Sequence, residues 1–171
     1  MARADIFELG GLRLHAGEAR HIELEVTLAS LDLGGQRYLA EPDVVPAALD
    51  VSRTNGGGYA LRLRFDAAVA GPCMRCLADA APPITVDARE VDLPGGGEEL
   101  DSPYLHGDQL DLRLWAHDAF ALAVPDQILC SADCLGLCPV CAVPLREVGG
   151  EHRHDSGGDP RWAKLAELRL E

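Results

Sequence analysis

Apolar and polar residues alternate with a period of two through much of the first half of the chain, the pattern of strands that set one face on a core. His21-Ile22-Glu23-Leu24-Glu25-Val26-Thr27-Leu28 holds this alternation throughout. Tyr59-Ala60-Leu61-Arg62-Leu63-Arg64-Phe65 repeats it and is expected to run on through Ala67 to Ala70 and stop at Gly71-Pro72. Ahead of that second strand, Asn55-Gly56-Gly57-Gly58 supplies residues that tolerate positive φ, so Ala47 to Ser52 is expected to form the other arm of a hairpin. A further strand, Ile84 to Val91, follows Pro82-Pro83. Connections this local favour an antiparallel sheet or partly closed barrel over a doubly wound parallel sheet.

The period then changes. Leu112, Trp115, Ala116, Ala119, Phe120 and Ala123 form one helical stripe, with Asp111 placed to cap it and Pro125 to stop it. Such a helix covers the sheet, and its Trp and Phe are core residues. His117 lies off the stripe and is expected to be solvated, as are His15 and His106. From Cys130 to Asp155 there is little periodicity but much Gly, Pro, Cys and His, as in segments that a metal ion organises in place of a core. Asp159-Pro160-Arg161-Trp162 then opens a short final helix with Leu165 and Leu168 on the side of Trp162. The expected fold is α+β: a mostly antiparallel sheet or partly closed barrel under one longer helix, followed by a zinc-organised C-terminal segment and a short last helix. Residues 1–128 make the body, and residues 129–171 are packed with it as one unit.

Composition narrows the function. The formal charge is −13, so the average field repels nucleic acid and anionic membrane, and any RNA contact has to be local. Val86 to Asp111 contributes eight acids against the single base Arg89. With Leu93-Pro94-Gly95-Gly96-Gly97 inside it, this run reads as a solvated, mobile loop; a docking surface for a basic protein is the sharper reading. No apolar stretch approaches the ~20 residues that span a bilayer, and no signal peptide follows Met1, which points to the cytoplasm.

In that reducing compartment six cysteines are expected as metal ligands rather than disulfides. They fall as Cys73-x2-Cys76, Cys130-x3-Cys134 and Cys138-x2-Cys141, and His152-x-His154 follows. Eight donors suffice for two tetrahedral zinc ions. The preferred division joins Cys73 and Cys76 to Cys130 and Cys134, with Cys138, Cys141, His152 and His154 closing a second site. The alternative joins the two C-x2-C knuckles as in a zinc ribbon. Four protein ligands leave no open position for water or substrate, so one or two structural zinc ions are expected, with no enzymatic activity and no small-molecule substrate. One counter-motif stands against this: His21-x-Glu23 with Pro72-Cys73-x2-Cys76 matches pieces of the zinc nucleobase deaminases. Both pieces open helices there, whereas here one lies in a strand-like alternation and Pro72 ends a strand.

Three blocks together carry a family resemblance: Cys73-Met74-Arg75-Cys76-Leu77, then Leu129-Cys130-Ser131-Ala132-Asp133-Cys134-Leu135-Gly136-Leu137-Cys138-Pro139-Val140-Cys141, then Asp159-Pro160-Arg161-Trp162-Ala163-Lys164-Leu165. In this order and spacing they resemble the YceD family, whose members are linked to accumulation of the large-subunit (23S) ribosomal RNA. The resemblance implies a β-rich α+β fold, a cytosolic location and a role in ribosome biogenesis. The chain departs from the family pattern at Ala142, where Gly is common, and at Val143-Pro144-Leu145-Arg146, where Asn-rich residues usually follow. Many members carry a further Cys pair where His152 and His154 stand. Candidate contacts to RNA or a protein partner are Arg75, Arg146, Arg153, Arg161 and Lys164. The expected partner is ribosomal RNA, a large-subunit assembly intermediate or a basic ribosomal protein. The alternative is a zinc-bound interaction module whose basic partner is unrelated to ribosomes, with a deaminase-like hydrolase third.

Overall fold

The computed structural model describes residues 5–148 and 152–154. One strand organises the sheet. Its sequence, Tyr59–Pro72 (β6), alternates so that Tyr59, Leu61, Leu63, Phe65, Ala67 and Val69 are buried while Arg62, Arg64 and Asp66 face the other way. Along one side of β6 run Val44–Arg53 (β5), antiparallel from Ala47↔Phe65 to Arg53↔Tyr59, and Gln36–Glu41 (β4), which continues that side at Glu41↔Ala68. Along the other side run Pro83–Asp92 (β8) and the two-residue Asp79–Ala80 (β7), with Tyr59↔Asp92 at one end and Pro72↔Asp79 at the other. Ala19–Thr27 (β2) pairs with β5, and Leu31–Leu33 (β3) pairs with β4.

The sheet is open. Among the described residues no strand pairs with the outer edges of β2 or β8. Helix Leu112–Ala123 (α1) touches both β8 and β2. It buries Leu112, Trp115, Ala116, Ala119 and Phe120 against the inner face formed by Leu24, Val26, Val45, Leu49, Val51 and the odd positions of β6. Asp111 caps it, its Oδ1 accepting the Leu114 N–H at 2.9 Å. Tyr104 stacks on Trp115 and donates its hydroxyl to Asp118. His117 is half-buried rather than solvated, because it faces the packed side of the helix margin; among the described residues its Nδ1 has no partner.

A second, three-stranded sheet seats the start of this helix: Ile6–Glu8 (β1) and Leu105–His106 (β9) flank Gln109–Asp111 (β10), which runs directly into α1. The Tyr59 hydroxyl donates to Asp108 at 2.8 Å and Arg53 lies over the Tyr59 ring, tying the hairpin tip to this small sheet. Burial and the adjacent Asp108 carboxylate push the Tyr59 pKa up to about 12, so the hydroxyl keeps its proton and goes on donating.

The structure also changes the reading of the acidic run. It is not one loop: Asp87, Glu90 and Asp92 lie on β8, and Asp111 is the helix cap. Asp92 accepts the Ser102 N–H and Asp87 accepts from Arg62, so part of the run is fastened to the body. The expected last helix, Asp159 to Leu168, lies outside the described residues.

The β5–β6 turn depends on one glycine. A Cβ at Gly58 would stand 1.8 Å from the Asp92 carbonyl oxygen, which is backbone and cannot step aside. Gly58→Ala is therefore expected to cost about 2 kcal/mol or more, the scale of forced overpacking, measured as a lowered midpoint in urea unfolding.

Candidate metal centre

Where β6 ends, the chain folds back in six residues. The Cys73 N–H donates to the Ala78 carbonyl at 2.7 Å and the Leu77 N–H to the Cys73 carbonyl at 3.0 Å, with Leu77 in the left-handed region at φ +62°. The same two bonds recur at the same spacing further on. The Cys138 N–H donates to the Val143 carbonyl and the Ala142 N–H to the Cys138 carbonyl, both at 2.9 Å, with Ala142 at φ +57°. Both C-x2-C segments are thus one turn used twice, and in each the residue after the second Cys holds a conformation that glycine adopts without strain.

Cys73 and Cys76 meet the chain that returns from α1. The Met74 N–H donates to the Ile128 carbonyl at 2.8 Å, and the Ile128 N–H donates to Met74 Sδ at 3.4 Å, with Ile128 fully buried. Two residues on, Cys130 and Cys134 face the knuckle. Cys73 Sγ is 3.7 Å from Cys134 Sγ, and Cys76 Sγ is 3.5 Å from Cys130 Sγ. Sulfurs at the corners of a tetrahedron with bonds of about 2.3 Å stand about 3.8 Å apart, so the spacing fits a four-thiolate zinc site. All four sulfurs lie within 4.8 Å of one another.

The second group is Cys138, Cys141, His152 and His154, with ligand atoms again within 4.8 Å of one another. His152 and His154 both turn Nε2 inward, 2.9 Å apart, and Cys141 Sγ lies 3.3 Å from His152 Nε2. Two sulfurs and two imidazole nitrogens at this spacing also suit a tetrahedral zinc ion. The settings differ. Cys73, Cys76 and Cys134 belong to the hydrophobic core, whereas Cys141 and His154 are exposed. The eight residues therefore fall into two sets of four, one continuous with the core and one near the surface; the ribbon-like joining of the two knuckles is not the arrangement found.

Four thiolates this close repel one another, so they ionise together only against a cation. Their individual tendencies show the conflict. Burial raises the Cys73 pKa, but N–H groups of Arg75, Cys130 and Cys76 bond to its sulfur and bring it down to about 6. Cys76 goes the other way: the Ala78 N–H lowers it, but burial and the neighbouring sulfurs outweigh that and push it up to about 12. In the outer group the N–H groups of Cys141 and Val140 hold Cys138 at about 6. Each set thus contains one thiolate prepared by backbone donors, and a divalent cation would supply the charge that lets the remaining thiols follow.

The basic candidates are placed unevenly. Arg75 is committed locally: Nε and Nη2 donate to Gln127 Oε1 at 3.1 and 2.9 Å, and Nη1 to the Cys134 carbonyl at 3.2 Å. Arg146, on the four-residue helix Leu145–Val148 (α2), sets Nη1 3.9 Å from Cys130 Sγ. Arg153 is exposed between the two histidines, and Arg161 and Lys164 lie outside the described residues. Sequence reading passed over Gln127 and Met74, which brace the inner knuckle, because neither is a metal-ligand type; the repeated C-x2-C-x2 spacing was the available sign of the paired turns. The deaminase pieces do not come together as ligands. His21 bonds Asp50 through Nδ1 at 2.6 Å, and the partners of Cys73 and Cys76 are the other two cysteines.

An antiparallel sheet with a covering helix and two Cys/His knuckle clusters defines the class of protein. The chain belongs to the YceD family: the family's sequence model, described as large ribosomal RNA subunit accumulation protein YceD, matches residues 61–169, more than half of the chain and all eight clustered residues. The family places the chain in a ribosome-related context. Uncharacterised proteins of Mycobacterium bovis and Mycobacterium tuberculosis are 38% identical over 104 residues, covering 57% of this chain and 49% of theirs. The chain thus spans about half the length of the curated relatives it matches. No solved structure matches it.

Cys134→Ala should abolish the cooperative unfolding transition, since a structural zinc site contributes on the order of 10 kcal/mol, while His154→Ala should remove one zinc equivalent by elemental analysis and keep the circular dichroism of the body. Leu77 is 68% exposed, so Leu77→Gly should lose little burial while relieving the left-handed conformation, raising stability by about 1 kcal/mol in denaturant titration of the metal-loaded protein.

Proposed function

We propose that this chain is a non-enzymatic, zinc-stabilised factor in biogenesis of the large ribosomal subunit. It would act in the cytoplasm on accumulation of 23S ribosomal RNA by binding an assembly intermediate. The observation that carries the reading is the pair of four-ligand clusters in a chain of this family. Each set would surround a zinc ion with protein atoms and leave no position for a substrate, which suits scaffolding rather than hydrolysis. Between RNA and a ribosomal protein as the point of contact, the charges favour a basic protein. The net charge is −13, and Arg75 and Arg146 are engaged around the inner cluster instead of standing free for phosphate.

Depleting the protein should lower mature large-subunit RNA relative to small-subunit RNA, measured by quantitative electrophoresis of total RNA. An unchanged ratio would sink the ribosomal role and leave an interaction module of other purpose. Glu23→Gln should restore the ratio as fully as the unmodified chain does; failure to do so would revive the hydrolase reading.

A further inference from the structure

Strand β8 is ten residues long, pairs with β6 along its whole length, and has no strand partner on its other side among the described residues. Free edges of this length invite another strand, and proteins commonly blunt them with charged side chains, lysine above all, with proline or with a bulge; β8 carries Asp87, Arg89, Glu90 and Asp92. Here the only proline is at the first position, no lysine is present, and the pairing with β6 runs without a bulge from Pro83 to Asp92.

Helix α1 does not close over this edge. Between them lies a groove of about 520 Å³, whose strand wall is made by six successive residues, 85–90. Successive strand residues point to opposite faces, so a groove that touches all six faces the backbone edge of β8 rather than either face of the sheet. Its other wall is apolar: Trp115, Ala119 and Leu122 of α1, with Leu122 87% exposed. An unpaired backbone edge beside a slot for alternate side chains is what a strand-adding peptide requires.

The charge around the groove selects the occupant. Glu90 lines it as an acid without an ion-pair partner among the described residues, beside Arg89, the one base, while Asp87 at its wall is held by Arg62. The loop that follows β8 carries the exposed Glu99 and Asp101, and Asp118 lies on α1 beside Tyr104. We propose that the free edge of β8 takes up an extended, lysine- or arginine-rich segment of a protein partner as an added strand, its alternate apolar side chains lodged against Ala119 and Leu122. The site shares with the proposed function only the expectation of a basic partner. An unchanged ribosomal RNA ratio would leave it standing, and failure of peptide binding would leave the ribosomal role standing.

The test uses the full zinc-loaded chain and a fluorescent ten-residue peptide of alternating Lys and Val, read by fluorescence anisotropy. Binding is expected, weakened at least tenfold by Leu122→Lys and unchanged by Leu39→Lys, which adds the same charge at an exposed position of β4. Two further peptides carry N-methyl groups on the backbone amide, one on every Val and one on every Lys. Only one of them should lose binding, because an added strand turns alternate N–H groups toward β8. No binding of the parent peptide, equal binding by Leu122→Lys, or loss with both or neither of the methylated copies overturns the proposal. So does an oligouridine RNA that binds as tightly as the peptide and is tightened by Leu122→Lys, which would make the groove an RNA site.

Discussion

A hydrophobic core has to end somewhere, and at the far end of β6 it ends on sulfur. Val69 is the last large apolar side chain that the strand contributes, and the next inward position past Gly71-Pro72 is Cys73, as fully buried as the residues before it. Cys134, sixty-one positions later, meets it. Everything between these two cysteines, the paired strand β8, strands β9 and β10 of the small sheet and α1, is a loop closed at this point. Closing so long a loop is entropically costly, and a metal ion held by the four cysteines would offset that cost where apolar area has run out. The inner cluster is in this sense part of the core and the outer one an attachment to it.

How far the sequence discloses this depends on which force shapes each segment. The strands 19–27, 44–53, 59–72 and 83–92 and the helix 112–123 follow from periodicity, because each has one face on a single core and the alternation records it. The hairpin of β3 and β4 and the small sheet of β1, β9 and β10 were not foreseen. They are two to six residues long, and pairing with distant partners makes them strands: Ile6 opposite Asp111, Leu39 opposite Ala70. In the metal region the donor types and spacing pointed to the groups of four. The turn geometry did not, since Leu77 and Ala142 occupy positions where glycine would have been the visible sign.

The outward face of the main sheet explains how so acidic a chain keeps its cations. Pairing across strands lines up His21, Asp50, Arg62 and Arg89 in one row and Glu23, Ala48, Arg64 and Asp87 in the next. Arg62 reaches Asp87 and Arg64 reaches Asp50, each across to the neighbouring row. Those hydrogen bonds lower the pKa of Asp87, and Asp50 is lowered first by His21 and then by Arg64. Exposed pairs of this kind contribute little to stability. Their larger effect is on recognition: Arg62 and Arg64 on this face are already matched, so they add little to the field that an approaching molecule meets.

Arg75 and Arg146 acquire a different meaning from the same bookkeeping. Four thiolates around a divalent cation would leave two surplus negative charges in a largely buried place within an acidic protein. One guanidinium closes over the cluster by way of Gln127 and the Cys134 carbonyl; the other arrives beside Cys130 from the segment that the outer knuckle shapes. With metal bound, the segment shaped by the outer cluster would thereby bring a positive charge to the inner one, linking the two centres although they share no ligand.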